Sequence, residues 1–318
     1  MSIEANVPVA AVDWGTSHLR IWLLDMSGAV LAERRSDEGL LTTGPDGFSA
    51  VLERHLLDMG APAATPAIIC GMAGSRQGWI EAPYVTVPAQ LSDVLARAIP
   101  VPGAQRDIRI VPGMAQRSAD APDVMRGEET QLAGIADLLA AGRHVVCMPG
   151  THSKWVDVED GTVAGFGTWL TGELFSVLSK QSILRHAVGD PVAAVSASNK
   201  TFRHWLEQAL ASPGDMTSRL FKIRASTLLL DLTPQDAAAA LSGLLIGTEI
   251  GSAGAQFGWK EGEIALVASG PLSDLYGAAL GIAGYRVRPI DAETAVRAGL
   301  LVAARQNFGP RETRKVQA

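Results

Sequence analysis

The chain has 318 residues, 27 Lys and Arg against 33 Asp and Glu, a formal net charge of -6 and 47% hydrophobic residues. That length exceeds a single ordinary core of about 100–150 residues and predicts two α/β domains, while the acidic balance without a basic block excludes nucleic acid as the main partner. No run reaches the roughly 18 uninterrupted apolar residues of a membrane span, and MSIEANVPVA holds no recognisable secretory signal, so the expectation is a cytoplasmic protein with no membrane partner.

The segments VPVAAVD and LRIWLLD read as strands on either side of a polar crook, and Gly28 turns the chain into a third strand, AVLAER. Phe48, Leu52, Leu56 and Met59 recur at helical spacing between Gly47 and Gly60, followed by a strand, AIICGMAG. LSDVLARAI predicts a short helix capped by Ser92, and DIRIVPGM predicts one strand. RGEETQLAGIADLLAAG predicts one helix from near Glu128 to Gly142, with acids in the first turn where the helix dipole favours them. The strands HVVCMPG, SKWVDV and TVAGFG follow, then a mostly helical stretch from Thr171 to Phe257. A strand, glycine turn, helix and strand occupy EIALVASGPLSDLYGAALGIAGYRVRPI; a last helix begins at Asp291, and the tail GPRETRKVQA is expected to be disordered. Cys70 and Cys147 each sit in an apolar run, which suits reduced core thiols better than a disulfide or a metal site.

The crook recurs. VDWGTSHLRIWLLDMSGAV and CMPGTHSKWVDVEDGTV both place Gly-Thr after an apolar run, then a hydroxyl or histidine, a basic residue (Arg20, Lys154), an aromatic (Trp22, Trp155), an acid and a glycine turn. A hairpin turn of this composition converges backbone N–H groups and hydroxyls on one point, the chemistry that a phosphoryl group needs. Asp13 would repel a bare phosphate, but it makes sense with Mg²⁺ or its water shell between them. Alternatively, the carboxylate satisfies backbone donors of its own turn.

Paired DxGTS and GTxS hairpins, followed by a late strand–SG–helix, resemble the phosphate and adenosine motifs of the sugar kinase, heat-shock chaperone and actin superfamily. Within it, VDWGTSHLRIWLLD, CGMAGSRQGWIEAPY, MRGEETQLAG, MPGTHSKWV, GTWLTGELFSVL and VASGPLSDLYGAAL together resemble the 2-dehydro-3-deoxygalactonokinase family, from about Val9 to Leu301. The resemblance implies two actin-like (ribonuclease H-like) α/β domains, with mixed sheets flanked by helices and an active-site cleft between them. Residues 1–142 would bind the sugar acid and carry the first phosphate hairpin, with the helix 291–308 packing back; residues 143–290 would bind the nucleotide.

The implied cofactors are ATP and Mg²⁺, and the implied reaction makes the 6-phosphate of 2-dehydro-3-deoxy-D-galactonate. Asp13 would hold the metal through water. Gly15, Thr16 and Ser17 would meet the phosphates, with Gly150, Thr151, Ser153 and Lys154 as the second cradle and Ser269-Gly270 at the adenosine. A carboxylate must orient the acceptor hydroxyl and take its proton. Relatives usually carry Asp there, whereas this chain offers Glu129, then Glu128, with Asp123 third. Arg76 or Arg126 would fork the substrate carboxylate, and Ser75, Trp79, Thr171 and Glu173 would line its site. Each arginine could equally be a surface residue, and Trp79 taken alone is more often core.

GxxxxGK[ST], G-x-S-x-G and HExxH do not occur, and GFGTWL lacks the surroundings of a dinucleotide site. Two rivals stay open: a kinase of another sugar or sugar acid, and an ATP-dependent conformational switch. The oligomeric state is also open, with a homo-oligomer among the alternatives.

Overall fold

The apolar runs around the first crook form an antiparallel meander of β1 (Val9–Trp14), β2 (Leu19–Leu24) and β3 (Val30–Ser36). The structure, a computed structural model, describes residues 8–44, 46–189, 194–259 and 262–309, so the expected C-terminal tail lies outside the described residues beyond Gly309. Two units divide the chain. The first comprises Met1–Ala141, Gly161–Val163 and Glu293–Ala318, and the second Gly142–Asp160 and Ala164–Ala292.

In the first unit α1 (Leu40–Thr43) and α2 (Phe48–Asp58) lead to β4 (Ala67–Gly71), which pairs parallel with β1. After β5 (Val85–Thr86) and β6 (Ala89–Gln90) comes α3 (Leu91–Leu95). Gln90, not Ser92, precedes that helix, and no side chain caps it; Ser92 lies inside the first turn. The single strand expected from DIRIVPGM is broken. After β7 (Ile99–Pro100), β8 (Ile108–Ile110) continues the main sheet, while β9 (Met114–Gln116) joins a second sheet with β10 (Asp123–Met125) and β5. Pro112 between them has no N–H to donate to a ladder.

The expected long helix is also two pieces, α4 (Glu128–Gly134) and α5 (Ala136–Leu139). Ile135 leaves helical geometry at φ -117 and ψ 20. The main sheet of this unit runs β3-β2-β1-β4-β8-β7. Its core joins Val12, Trp14 and Ile21 to Phe48, Leu52 and Leu56 of α2 and to Ile69 and Ile110.

The second unit repeats the plan. β11 (Arg143–Met148) pairs antiparallel with β12 (Ser153–Glu159), which neighbours β13 (Thr162–Trp169). The helices α6 (Thr171–Gln181), α7 (Arg185–Val188), α8 (Lys200–Ala211), α9 (Met216–Leu229) and α10 (Pro234–Phe257) follow. Then β14 (Glu263–Val267), α11 (Pro271–Ile282) and β15 (Arg286–Ile290) close the sheet, and α12 (Ala292–Phe308) ends the described chain. β11, β14 and β15 are parallel, in the order β15-β14-β11-β12-β13. Counted in chain order from β1 and from β11, both sheets read third, second, first, fourth, after which the second ends on its fifth strand, β15, and the first continues with β8 and then β7; in both the first strand is antiparallel to the second and parallel to the fourth. This is the actin-like, ribonuclease H-like arrangement twice over. Cys70 and Cys147 are buried and outside any disulfide.

α10 is long and apolar enough to cross a membrane by length and composition, yet 78% of its most apolar window is buried inside the protein. Thr233 caps its start, and Gly258 in the left-handed region ends it. Side chains at Gly243 and Gly247 would collide with the Phe202 and Leu206 carbonyls of α8, so the two helices approach almost backbone to backbone.

α12 meets α4 the same way: a Cβ on Gly299 would overlap the Thr130 carbonyl, and one on Gly134 the Ala295 carbonyl. Neither obstacle is a flexible side-chain end, so Gly299→Ala must push the helices apart. The expected cost is at least about 2 kcal/mol, read as a lower denaturant midpoint. An unchanged midpoint would mean that this crossing can relax freely.

Candidate functional site

Trp14 and Leu19 are the last cross-strand pair of the first hairpin, so its turn is Gly15-Thr16-Ser17-His18. The Gly15 N–H donates to the His18 carbonyl at 2.8 Å, and Thr16 and Ser17 are exposed. The segment entering α1 holds this turn from behind. Leu40 and Leu41 N–H groups donate to the Gly15 and Thr16 carbonyls at 3.0 and 3.1 Å, and a Cβ on Gly39 would overlap the Thr16-Ser17 backbone.

Asp13 stands opposite Arg20 in the ladder, its Oδ2 3.6 Å from Nη1, while Cys70 Sγ approaches Oδ1 at 3.8 Å. Burial pushes the Asp13 carboxyl above the usual range, and the Arg20 charge opposes that shift. Beside it the end of β4 meets the start of α4. A Cβ on Gly71 would lie 2.6 Å from the Trp14 carbonyl, and one on Gly127 3.6 Å from Gly71 Cα.

Glu129 is fully buried. Its Oε2 accepts the Gly127 N–H at 2.7 Å, and its Oε1 accepts the Thr130 hydroxyl at 2.9 Å. Burial first, and then the Glu128 charge, push its pKa up to about 7. Glu128 is half-buried, accepts the Arg126 N–H at 3.0 Å, and lies close enough to Asp13 to raise that carboxyl further. Asp123 sits apart at the start of β10, accepting the Val124 N–H at 2.7 Å.

The arginines differ. Arg76 is exposed, with its Nε 3.4 Å from Glu81, and lines a cavity of about 780 Å³ with Tyr84, Arg117 and Asp123. Arg126 lies over the Tyr84 ring at 4.5 Å and donates to the Ala82 carbonyl at 2.7 Å. Its Nε and Nη1 are buried without a hydrogen-bond partner, as is Ser75 Oγ. Trp79 stacks on Phe48, 5.9 Å between centroids, as part of the core.

In the second unit Met148 and Lys154 are the last pair, leaving a turn one residue longer than the first. Thr151 and His152 are exposed, whereas Ser153 and Lys154 are buried. The sequence reading sets Ser153 in the phosphate cradle, but its hydroxyl points into the interior, 3.2 Å from the Tyr276 hydroxyl. This turn is also held from behind: Glu173 N–H donates to the Thr151 carbonyl at 3.0 Å, and a Cβ on Gly172 would lie 2.5 Å from the Gly150 carbonyl. His152 Nε2 and Glu173 Oε2 are 2.5 Å apart. Thr171 and Glu173 thus belong to the second unit, whereas Ser75, Arg76, Trp79 and Arg126 belong to the first.

A mostly apolar cavity of about 370 Å³ adjoins this turn, lined by Gly150, Phe175, Ser242, Ile246, Leu272 and Tyr276 among others. Ser269 and Gly270 lead into α11, which supplies Leu272 and Tyr276; Ser269 Oγ donates to Asp291 at 2.6 Å, and Gly270 has φ +61. Beneath the cavity lies Glu249, which the sequence reading missed. A signal existed, for Glu249 is the only charged residue between Asp236 and Lys260. Gly39 and Gly172 carried no comparable signal.

The 2-keto-3-deoxy-galactonokinase family matches residues 13–303 of this chain. A probable 2-dehydro-3-deoxygalactonokinase of Rhizobium meliloti (strain 1021) is 51% identical over 296 residues, 93% of this chain and 96% of that protein. The 2-dehydro-3-deoxygalactonokinase of Escherichia coli (strain K12) is 36% identical over 290 residues, covering 91% and 95%. A crystal structure of a Sinorhizobium meliloti protein carrying the same kinase name superposes with a TM-score of 0.90 at 51% identity, covering 93% of this chain and 98% of that one.

The raised Glu129 pKa sets a stability signature. With a folded pKa of about 7 against an ordinary 4.5, its burial costs nothing below about pH 4.5, and stability is lost as the pH climbs towards 7. Glu129→Gln removes that dependence. The stability difference between variant and wild type should therefore move in favour of the variant by about 3 kcal/mol between about pH 4 and pH 8, measured by urea unfolding. Parallel pH curves would assign Glu129 an ordinary pKa.

Proposed function

Because this chain belongs to the 2-keto-3-deoxy-galactonokinase family, we propose that it transfers the γ-phosphoryl group of ATP to the 6-hydroxyl of 2-dehydro-3-deoxy-D-galactonate. The reaction serves D-galactonate breakdown in the cytoplasm. One observation carries the site assignment: Asp13, at the root of a Gly-Thr turn, lies within electrostatic reach of Glu128 at the start of α4. Phosphate and acceptor chemistry thereby share one corner of the first unit.

Thr16, Ser17 and the turn N–H groups bind phosphate oxygens, as do Gly150 and Thr151 of the second hairpin. The apolar cavity beside Gly150 takes the adenine. Asp13 fits a magnesium ion. Its partly buried carboxylate is a hard oxygen donor, and Arg20 compensates its charge only from 3.6 Å. Among the described residues no group of three His, Cys, Asp or Glu could hold a metal unaided, which suits a cation that keeps its waters and shares phosphate oxygens. When bound, Mg²⁺ neutralises phosphate charge.

The base must reach the acceptor hydroxyl. Glu129 is enclosed with both oxygens engaged, so we assign the proton to half-buried Glu128, with Glu129 fixing the Gly127–Thr130 backbone around it. Arg76 and Arg126 are the candidates for the substrate carboxylate; Arg126 has the buried unpaired N–H groups, and Arg76 the open cavity.

Asp13→Asn removes charge without volume and should lower kcat at least about a hundredfold with the fold intact. Near-normal turnover would remove Asp13 from the metal. Glu128→Gln should lose turnover more deeply than Glu129→Gln, and the reverse order would return the base to Glu129. ADP release with MgATP should be strongest with 2-dehydro-3-deoxy-D-galactonate among the galacto and gluco keto acids, galactonate and neutral hexoses. Preference for another compound would discard the substrate, and sugar-independent ATP consumption would favour a switch.

A further inference from the structure

Glu249 has no part in the chemistry assigned above, yet it is buried in α10 with 1% exposure. Its Oε1 accepts the Trp155 indole N–H from β12 at 2.8 Å. Its Oε2 accepts the Tyr276 hydroxyl from α11 at 2.6 Å and the Thr171 hydroxyl at the start of α6. Tyr276 in turn stands 3.2 Å from Ser153 Oγ, which lies 3.5 Å from the Gly150 N–H. One carboxylate thus gathers β12, α6, α10 and α11. Three of the residues it reaches, directly or through this chain, also line the apolar cavity: Gly150, Thr171 and Tyr276.

A carboxylate in such a place is expensive, and an apolar side chain of similar volume would hold the same elements together at least as well. What an apolar residue cannot do is fix the direction of three donors at once. Thr171 opens the helix whose next residues, Gly172 and Glu173, hold the Gly150-Thr151 turn from behind. Tyr276 forms part of the cavity wall.

We propose that Glu249 is a positioning residue for the nucleotide: it sets the Gly150-Thr151 turn and the Tyr276 wall in the geometry that ATP requires. The inference rests on the reading that this cavity takes the adenine of ATP.

The test separates nucleotide from sugar acid. Glu249→Gln keeps the volume, still accepts from Trp155, and can donate to the Thr171 and Tyr276 oxygens, so its KM for ATP should stay within about threefold of wild type. Glu249→Leu should raise the ATP KM about tenfold or more while the sugar-acid KM stays within about twofold. Tyr276→Phe removes only a hydroxyl and should move the ATP KM in the same direction, which keeps the test open should Glu249→Leu not fold. Equilibrium binding of ATP without sugar acid should weaken in parallel. A purely architectural role would lower thermal stability and leave both KM values unchanged; that result in folded Tyr276→Phe and Glu249→Leu would overturn the proposal.

Photolabelling of the wild type with an azido-adenine ATP locates the base independently. Label at residue 150 or within 171–175, 194–195, 238–246 or 272–276 supports the cavity, so unchanged variants would then defeat the Glu249 role alone. Label elsewhere would defeat the cavity reading, and the positioning role with it.

Discussion

Both hairpin turns owe their shape to backbone packed directly on backbone. Behind Gly15-Thr16-Ser17 the chain passes at Gly39, and behind Gly150-Thr151 at Gly172; at either site a methyl group would drive into the turn. Each glycine is followed by N–H groups that donate to turn carbonyls, Leu40 and Leu41 in one unit and Glu173 in the other. With its carbonyls anchored from behind, a turn leaves its remaining donors facing outward. The exposure of Thr16, Ser17, Thr151 and His152 is the visible result. A preorganised set of donors loses little entropy when an anion arrives, which is where such a turn gains over a flexible loop.

Each unit also buries one carboxylate below its turn, and the two have different partners. Glu129 folds back on its own helix start, meeting the Gly127 N–H and the Thr130 hydroxyl, so it acts locally. Glu249 reaches across secondary structures to Trp155, Thr171 and Tyr276. Burial raises the pKa of both, which expresses the cost of holding charge away from water. A local arrangement shapes one corner, the one that the proposed reading gives to the acceptor hydroxyl. A distributed one orients several walls of a cavity at once.

The paired hairpins, most strands of the main sheets and the duplicated plan were legible in the residues because they follow from alternation, helical spacing and glycine turns, whereas the short strands β5, β6, β7 and β10 were not. The break at Ile135 was missed although Gly134 before it weakens a helix locally; the α4–α12 crossing at Gly134 and Gly299 exists only in three dimensions. Ser153 misled for a related reason. Its place in GTHS matches a cradle, but Ser153 is already the first residue of β12, and there its hydroxyl faces inward onto Tyr276. Trp79 and Arg126 show the limit for pocket residues: their identities suit ligands, whereas stacking on Phe48 and packing over Tyr84 are tertiary facts.

The duplication is imperfect where chemistry would require it. Two residues before the turn glycine the first unit has Asp13 and the second has Met148, one partly exposed to water and the other buried. With Met148 the second hairpin instead offers hydroxyl and backbone donors beside an apolar cavity, which suits the uncharged end of a nucleotide. The first unit keeps the Asp13 carboxylate, within electrostatic reach of Glu128. On the proposed reading, the carboxylate for the metal and the carboxylate for the proton therefore both come from the first unit, and the second hairpin contributes uncharged donors alone.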